Sequence, residues 1–477
     1  MFIVPRKNFF ICEVFLLCLL FTSCVPKAQH TNPEKQIPLS LLKTDFNIFR
    51  KTVEEAHPGI YWYASKKDMD AYFDSVYAFI DQPVNDIDFY KLMMNVVAHL
   101  RCVHTSISLS QERERAAASR LKLLPFDAMI VNNKAYISET FDSLLPTQFE
   151  IQTINDLPVD QIVQKMLEII PTDGYNTTNK YQLLNRGMFR RAYALLMPSS
   201  DTFIIEGIDS SRHSRRVKVA AIAPDFNRPP AATGNSISWQ QQDSTGILNL
   251  RSFQLNTGEF ARRIDSFFTQ VNNRKIKRLI IDLRNNGGGN NENVSELYSY
   301  FADSPFYHLR KTEVSRQPLS YRNHIINISE YDNLRGRLAN DSSYEIVQYP
   351  GRRLREPIST NHFDGKLIVL VNGATISAAS EFVALVHGNK RGTVIGEETG
   401  GCYYGSTGGS YLNLVLPNSG LRARIPTIRI FTGVPEDFKQ QPQGRGVLPD
   451  YPVTYSIADL LTGRDRVMEI ALDTLQP

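Results

Sequence analysis

Cysteine is scarce, with five in 477 residues and three of them before residue 25, so only Cys102 and Cys402 remain further along and a disulfide framework is excluded. Histidine is sparse too, at nine, and none has the spacing of a metal-ligand set, so neither metal nor cofactor is expected. No block of Lys and Arg stands out. A net charge of +4 on so long a chain leaves no electrostatic footprint for nucleic acid. Internal repeats and low-complexity tracts are absent as well, and 42% hydrophobic against 21% charged residues suffices for two or three globular domains with substantial cores.

What the chain does have begins at its N-terminus. Arg6 and Lys7 precede an apolar stretch from Phe9 to Phe21, which ends at Thr22-Ser-Cys24 and turns polar. The pattern resembles a bacterial lipoprotein signal over residues 1–24, with cleavage before Cys24 and lipid on its thiol. Residues 25–38 then read as a tether. This implies a lipid-anchored protein of the cell envelope, facing the periplasm or the exterior, with the membrane as partner.

Two segments about ninety residues apart carry the chemistry. Leu279-Ile-Ile-Asp-Leu-Arg-Asn-Asn-Gly-Gly-Gly289 reads as a buried strand running into a glycine loop, and the missing Cβ atoms let a substrate carbonyl approach the backbone. Leu370-Val-Asn-Gly-Ala-Thr-Ile-Ser-Ala-Ala-Ser-Glu381 reads as a strand running into a helix start with Ser377 at the turn. A serine there sits at the positive end of a helix, which favours an alkoxide and its tetrahedral adduct. The N–H groups of Gly288 and Ala378 are the candidate oxyanion donors. Taken singly, such a serine is most often an N-cap and such a triplet most often a loop; the pair, each after a buried strand, is far more specific.

With Gly396-Glu-Glu-Thr-Gly-Gly401 and Gly446-Val-Leu-Pro-Asp450 following in order, the chain resembles the C-terminal-processing (tail-specific) serine peptidases and their tricorn-core relatives. His57-Pro-Gly-Ile-Tyr61 and Cys102-Val-His-Thr105 extend the resemblance more loosely into the N-terminal half. The family serine precedes the threonine of its Gly-Glu-x-Thr segment by 22 residues, the interval from Ser377 to Thr399, which favours Ser377 over Ser380 as nucleophile. Tail-specific enzymes carry a basic lysine three residues after that threonine, where this chain has Cys402. The tricorn branch instead uses a histidine from an N-terminal helical segment, which nominates His104, a base that needs no large pKa shift. That branch orients its histidine with a glutamate three residues before the Gly-Val, where this chain has Gln443. Glu436, Glu397 and Glu398 are substitutes that spacing does not rank. His57, His99 and His387 compete weakly for the base.

The resemblance implies an α/β fold with a ClpP/crotonase-like spiral core of strand-strand-helix units over residues 239–462. Before it come a helical N-terminal domain over 39–112, whose apolar residues recur at helical spacing, and a PDZ-like module over 120–223 suited to adding an extended peptide as a strand. The stretch Pro171 to Met197 is longer than such a module carries, and the insertion from Tyr307 to Phe363 is placed to form a lid or rim. Cys102 and Cys402 flank expected site positions and are read as two unpaired thiols. The function implied is a serine endopeptidase acting on peptides or unfolded proteins. The rival is a non-catalytic ligand- or peptide-binding protein on the same fold, since both the lysine and the orienting glutamate are absent. Enolate chemistry on thioesters is remote for a secreted protein.

Overall fold

Residues 36–224, 236–334, 337–338, 343–437 and 439–474 are described by the computed structural model. The signal segment, Cys24 and the tether up to residue 35 lie outside them, and so does most of the link between the second and third expected bodies.

Short apolar runs build the central sheet. Thr245–Leu250, Arg278–Asp282, Lys366–Val371 and Thr393–Gly396 pair in parallel, with Tyr451–Pro452 parallel at one edge and Ile237–Gln242 antiparallel at the other. Parallel strands need cover on both faces, and successive side chains divide between two cores. Leu279, Ile281, Leu367, Val369 and Val371 pack with the helices Thr257–Asn273, Asn291–Ser299 and Ala378–Gly388. Ile280, Ile368, Leu370 and Ile395 face the other way, onto Val467 and Ala471. The helix Arg466–Thr474 that supplies this cover lies beyond residue 462, where the sequence reading ended the core domain.

Of the three N-terminal helices, Leu39–Ala56, Lys66–Phe79 and Asp86–His99, the second and third start as their cap residues direct, with Ser65 and Asn85 accepting the N–H of Asp68 and Asp88, while the first follows Pro38 without a side-chain cap. They do not form a body of their own. Their core continues into Leu412, Leu414, Leu416, Leu421, Ala423 and Ile425, on the long hairpin Gly405–Val415/Arg422–Thr432. The chain from Ile37 onward is accordingly one compact unit.

The middle region keeps a core of its own, an antiparallel sheet of Phe126–Val131, Lys134–Thr140, Glu150–Ile154, Thr202–Ile208 and Ser214–Ala220 with the amphipathic helix Val159–Glu168. Asn155 and Asp156 both take positive φ, 49° and 61°, the geometry of a tight turn between short strands. The first half of the overlong stretch 171–197 reaches the parallel core, where Asn176 Nδ2 donates to Thr399 O at 2.9 Å, Thr178 Oγ1 to Glu398 O at 2.8 Å, and Gln182 Nε2 to Glu397 Oε2 at 2.7 Å, while Leu184, Phe189, Tyr193 and Met197 of its second half pack in the core of this sheet. Within the expected lid, Leu309–Ser315 is an integral strand paired with Arg422–Thr432.

Candidate active site

The two signature segments are brought side by side by strand register. Arg278 to Asp282 lies against Lys366 to Leu370, and just beyond, Asn285 and Asn372 exchange hydrogen bonds: each pairing, Asn285 N to Asn372 Oδ1 and Asn372 Nδ2 to Asn285 Oδ1, spans 3.0 Å. Asp282 and Arg284, within the first signature segment, are structural. Arg284 holds Asp282 on one side and Asp465 of the C-terminal helical region on the other.

Ser377 stands at the N-cap of Ala378–Gly388 with φ 55° and ψ −134°, and its side chain makes no cap hydrogen bond. A non-glycine residue in that region is strained, and the strain leaves the hydroxyl free rather than tied to the helix. Ser380 Oγ, by contrast, donates to Ser377 O at 2.7 Å and steadies the turn. Gly288, at φ +90°, packs where a Cβ would lie 2.8 Å from Ser377 Cβ and 2.9 Å from Ala378 N, so only glycine fits. Ala378 N–H is a first-turn donor that the helix cannot satisfy. Gly288 N–H, however, already donates to Asn286 Oδ1 at 2.9 Å, and Asn286 is fixed from its other end by Leu250 O. The sequence expected a free donor at Gly288; it has one shared with an Asn side chain.

Gly401 also packs close, since a Cβ there would run into Ser380 Oγ and lie 2.9 Å from Ser377 N. Next to it Cys402 is buried, receives a hydrogen bond from Tyr63 OH at 3.3 Å, and is a free thiol. Burial, with Asp173 nearby, raises its pKa well above the ordinary value, so at the lysine position stands a neutral group that cannot serve as base. Cys102 is also free and buried, its Sγ 2.9 Å from Thr407 Oγ1; burial pushes it up to about 11.

His104 lies on the loop after the third N-terminal helix, beside Gly408 and Tyr411 of the hairpin. Burial, reinforced by the Arg424 guanidinium, holds its pKa down to about 4, so the imidazole is neutral and able to accept a proton. Its Nδ1 is shut off from solvent with no hydrogen-bond partner among the described residues. None of the expected orienting groups reaches it. Gln443 lies exposed on the surface, and Glu436 is half exposed and pairs with Arg310. Glu397 accepts from Gln182 and from Gly373 N–H, while Glu398 is held by Arg445 and Gly446 N–H. The rival histidines are occupied as well: His57 bonds Thr105 Oγ1 at 3.1 Å, His99 stacks on Tyr72, and His387 pairs with Asp450.

The carboxylate that the sequence reading missed is Asp173. A carboxylate oxygen of Asp173, a ring nitrogen of His104 and Cys102 Sγ lie within 4.8 Å of one another. Asp173 Oδ1 accepts Val103 N–H at 2.9 Å, tying it to the His104 loop, while Oδ2 is buried without a partner among the described residues. Burial pushes its pKa up to about 7. Asp173 arrives on the 171–197 stretch, and the unusual length of that stretch was the only sign of it in sequence.

Residues 244–453 match peptidase family S41. This core belongs to that family. No curated protein matches the chain by sequence. Among solved structures, mature CPAF complexed with lactacystin superposes with a TM-score of 0.62 at 14% identity, over 91% of this chain and 97% of that one. A serine-to-alanine mutant of CPAF superposes with a TM-score of 0.63 at 14% identity, over 91% and 96%. At that identity the likeness speaks for the shared fold, and membership of family S41 makes the protein a serine-type peptidase. The S41 match begins at residue 244, so the His104 and Asp173 loops both come from outside the family-matched segment.

Proposed function

We propose that this S41 peptidase is an endopeptidase of the cell envelope, in which Ser377 attacks a peptide carbonyl and His104 carries the proton. The observation that carries the reading is the strained, uncapped Ser377 at a helix start, with Gly288 and Gly401 packed close against it. Ser377 Oγ bonds to the carbonyl carbon as its proton passes to His104; His104 then returns the proton to the amine as the C–N bond breaks, leaving an acyl-serine that water hydrolyses by the same steps. Ala378 N–H holds the oxyanion, and Gly288 N–H joins it by exchanging Asn286 Oδ1 for the charged oxygen, since a charge-assisted bond is roughly twice as strong as a neutral one. Asp173, from beside the imidazole, supports the imidazolium in place of the glutamate absent at Gln443.

The substrate class, peptides or unfolded proteins, follows from the family. The envelope location rests on the sequence of residues 1–24 alone, and strand addition at the middle sheet on its PDZ-like sequence. A fluorophosphonate probe on the full-length protein, located by mass spectrometry, tests the chemistry. Adduct on Ser377, absent in Ser377→Ala and strongly reduced in His104→Ala, is expected; folded protein that takes up no probe would favour the non-catalytic binder.

A further inference from the structure

Cys102 and His104 meet Asp173, about seventy residues further along the chain, with one potential ligand atom each inside a 4.8 Å span. Two of these groups have an unused bonding position, since His104 Nδ1 and Asp173 Oδ2 are both buried with no hydrogen-bond partner among the described residues. Buried polar atoms are ordinarily paired, and two neighbouring groups that each keep an unpartnered atom beside a thiol make a donor set able to take a common partner.

The chemistry of the set selects that partner. One thiol, one imidazole and one carboxylate suit a borderline-soft divalent ion of the zinc class, whereas magnesium and calcium prefer several oxygen ligands. Charge agrees: a thiolate and a carboxylate neutralise a dication, which a buried site requires. Zinc bond lengths of about 2.0–2.3 Å give a tetrahedron with edges of roughly 3.5 Å, so the three side chains draw inward on binding. Cys102 loses its thiol proton to solvent in the process.

We propose that Cys102, His104 and Asp173 form a site for a zinc-class ion that, when filled, switches the peptidase off. The inference rests on His104 being the catalytic base. Whichever ring nitrogen holds the ion, the adjacent cation strips the imidazole of its basicity, and Asp173 is withdrawn from it at the same time. A fourth ligand position is left for water or for the Cys402 thiol, whose electrostatic neighbours include both Asp173 and Cys102.

The test uses the full-length protein in detergent and two readouts. Zinc chloride is titrated against peptide hydrolysis, and cobalt chloride is titrated separately while following the near-ultraviolet thiolate-to-cobalt absorption. Wild type is expected to lose activity with zinc, recover it with chelator, ignore magnesium, and bind one cobalt with a thiolate band. Cys102→Ser, which keeps a hydrogen-bonding group for Thr407, is expected to need at least about tenfold more zinc and to lack the band. Should that variant fail to fold, Asp173→Asn, which retains the thiol, is compared by cobalt titration without turnover, and at least about tenfold weaker cobalt binding is expected, equal binding overturning the site. Equal zinc sensitivity in wild type and a folded variant, or no thiolate band in wild type, overturns the site. The cobalt band reports the site without any turnover, so an inactive protein that still shows it would refute the peptidase chemistry and leave the metal site standing.

Discussion

Gly288 and Ser377 are packed so closely that a Cβ on the glycine would lie 2.8 Å from the Cβ of the serine. With φ at +90°, alanine at 288 is strained by about 1–3 kcal/mol and pushes on Ser377. Gly288→Ala should lower kcat by roughly 10²–10³-fold while the protein still melts cooperatively. Near-normal turnover in the purified variant would show that the glycine loop does not face the reacting carbonyl.

Asp173 and Gln443 make opposite predictions. Asp173→Asn keeps an acceptor for Val103 N–H but removes the charge, so kcat should fall by roughly 10²–10⁴-fold with little change in KM. Gln443→Ala, on an exposed residue, should leave kcat within about twofold. Steady-state kinetics on both decide the matter, and a large loss at Gln443 with none at Asp173 would return the orienting role to the position indicated by family spacing.

Acid should destabilise the fold over a defined window. Burial lowers His57 to about 4, with His104 adding repulsion, and burial likewise lowers His99 to about 4, with Arg101 adding to it. Both are neutral when folded, while the unfolded chain takes up their protons below about 6.5. The unfolded state therefore binds more protons between pH 6.5 and 4, and stability that is fully present above 6.5 is lost as pH falls through that range, by up to about 1.4 kcal/mol per pH unit for each group. Chemical denaturation at pH 7, 6 and 5 should show a falling midpoint, and His99→Phe, which can keep the stacking on Tyr72, should flatten the slope. A midpoint that rises on acidification contradicts the assignment.

Arg284 bridges the glycine-loop strand and the C-terminal region, bonding Asp465 through both terminal nitrogens at 2.6 and 2.7 Å. Asp465→Ala leaves this largely buried guanidinium with only Asp282 and Tyr455, and should cost about 1.5–3 kcal/mol. The helix Arg466–Thr474 should then show faster amide exchange than the parallel strands. Unchanged stability would mean that solvent replaces the lost partner without penalty.

The parallel strands and the strand-turn-helix at Ser377 were legible because local pattern decides them. Uninterrupted apolar runs such as Leu279 to Leu283 belong between two covered faces, and a glycine triplet or an Asn-Gly break must end them. Fold-level identity followed, since Ser377, Thr399 and Gly446 keep their order and intervals whatever packs around them. The separateness of the N-terminal helices was misread, because helical periodicity reveals an apolar face without showing what covers it; the cover is Leu412, Leu414 and Ile425, more than three hundred residues on.

By itself, then, the sequence determined the strand-turn-helix that presents Ser377, the glycine beside it and the absence of a lysine base, all set by backbone conformation and short-range spacing. Only the tertiary structure decided which carboxylate attends His104, that Gly288 N–H is shared with Asn286, and that Cys102, His104 and Asp173 converge. The two relationships that involve Asp173 depend on where the 171–197 stretch docks, through Asn176, Thr178 and Gln182, onto a loop more than two hundred residues away, and no local pattern encodes such a contact.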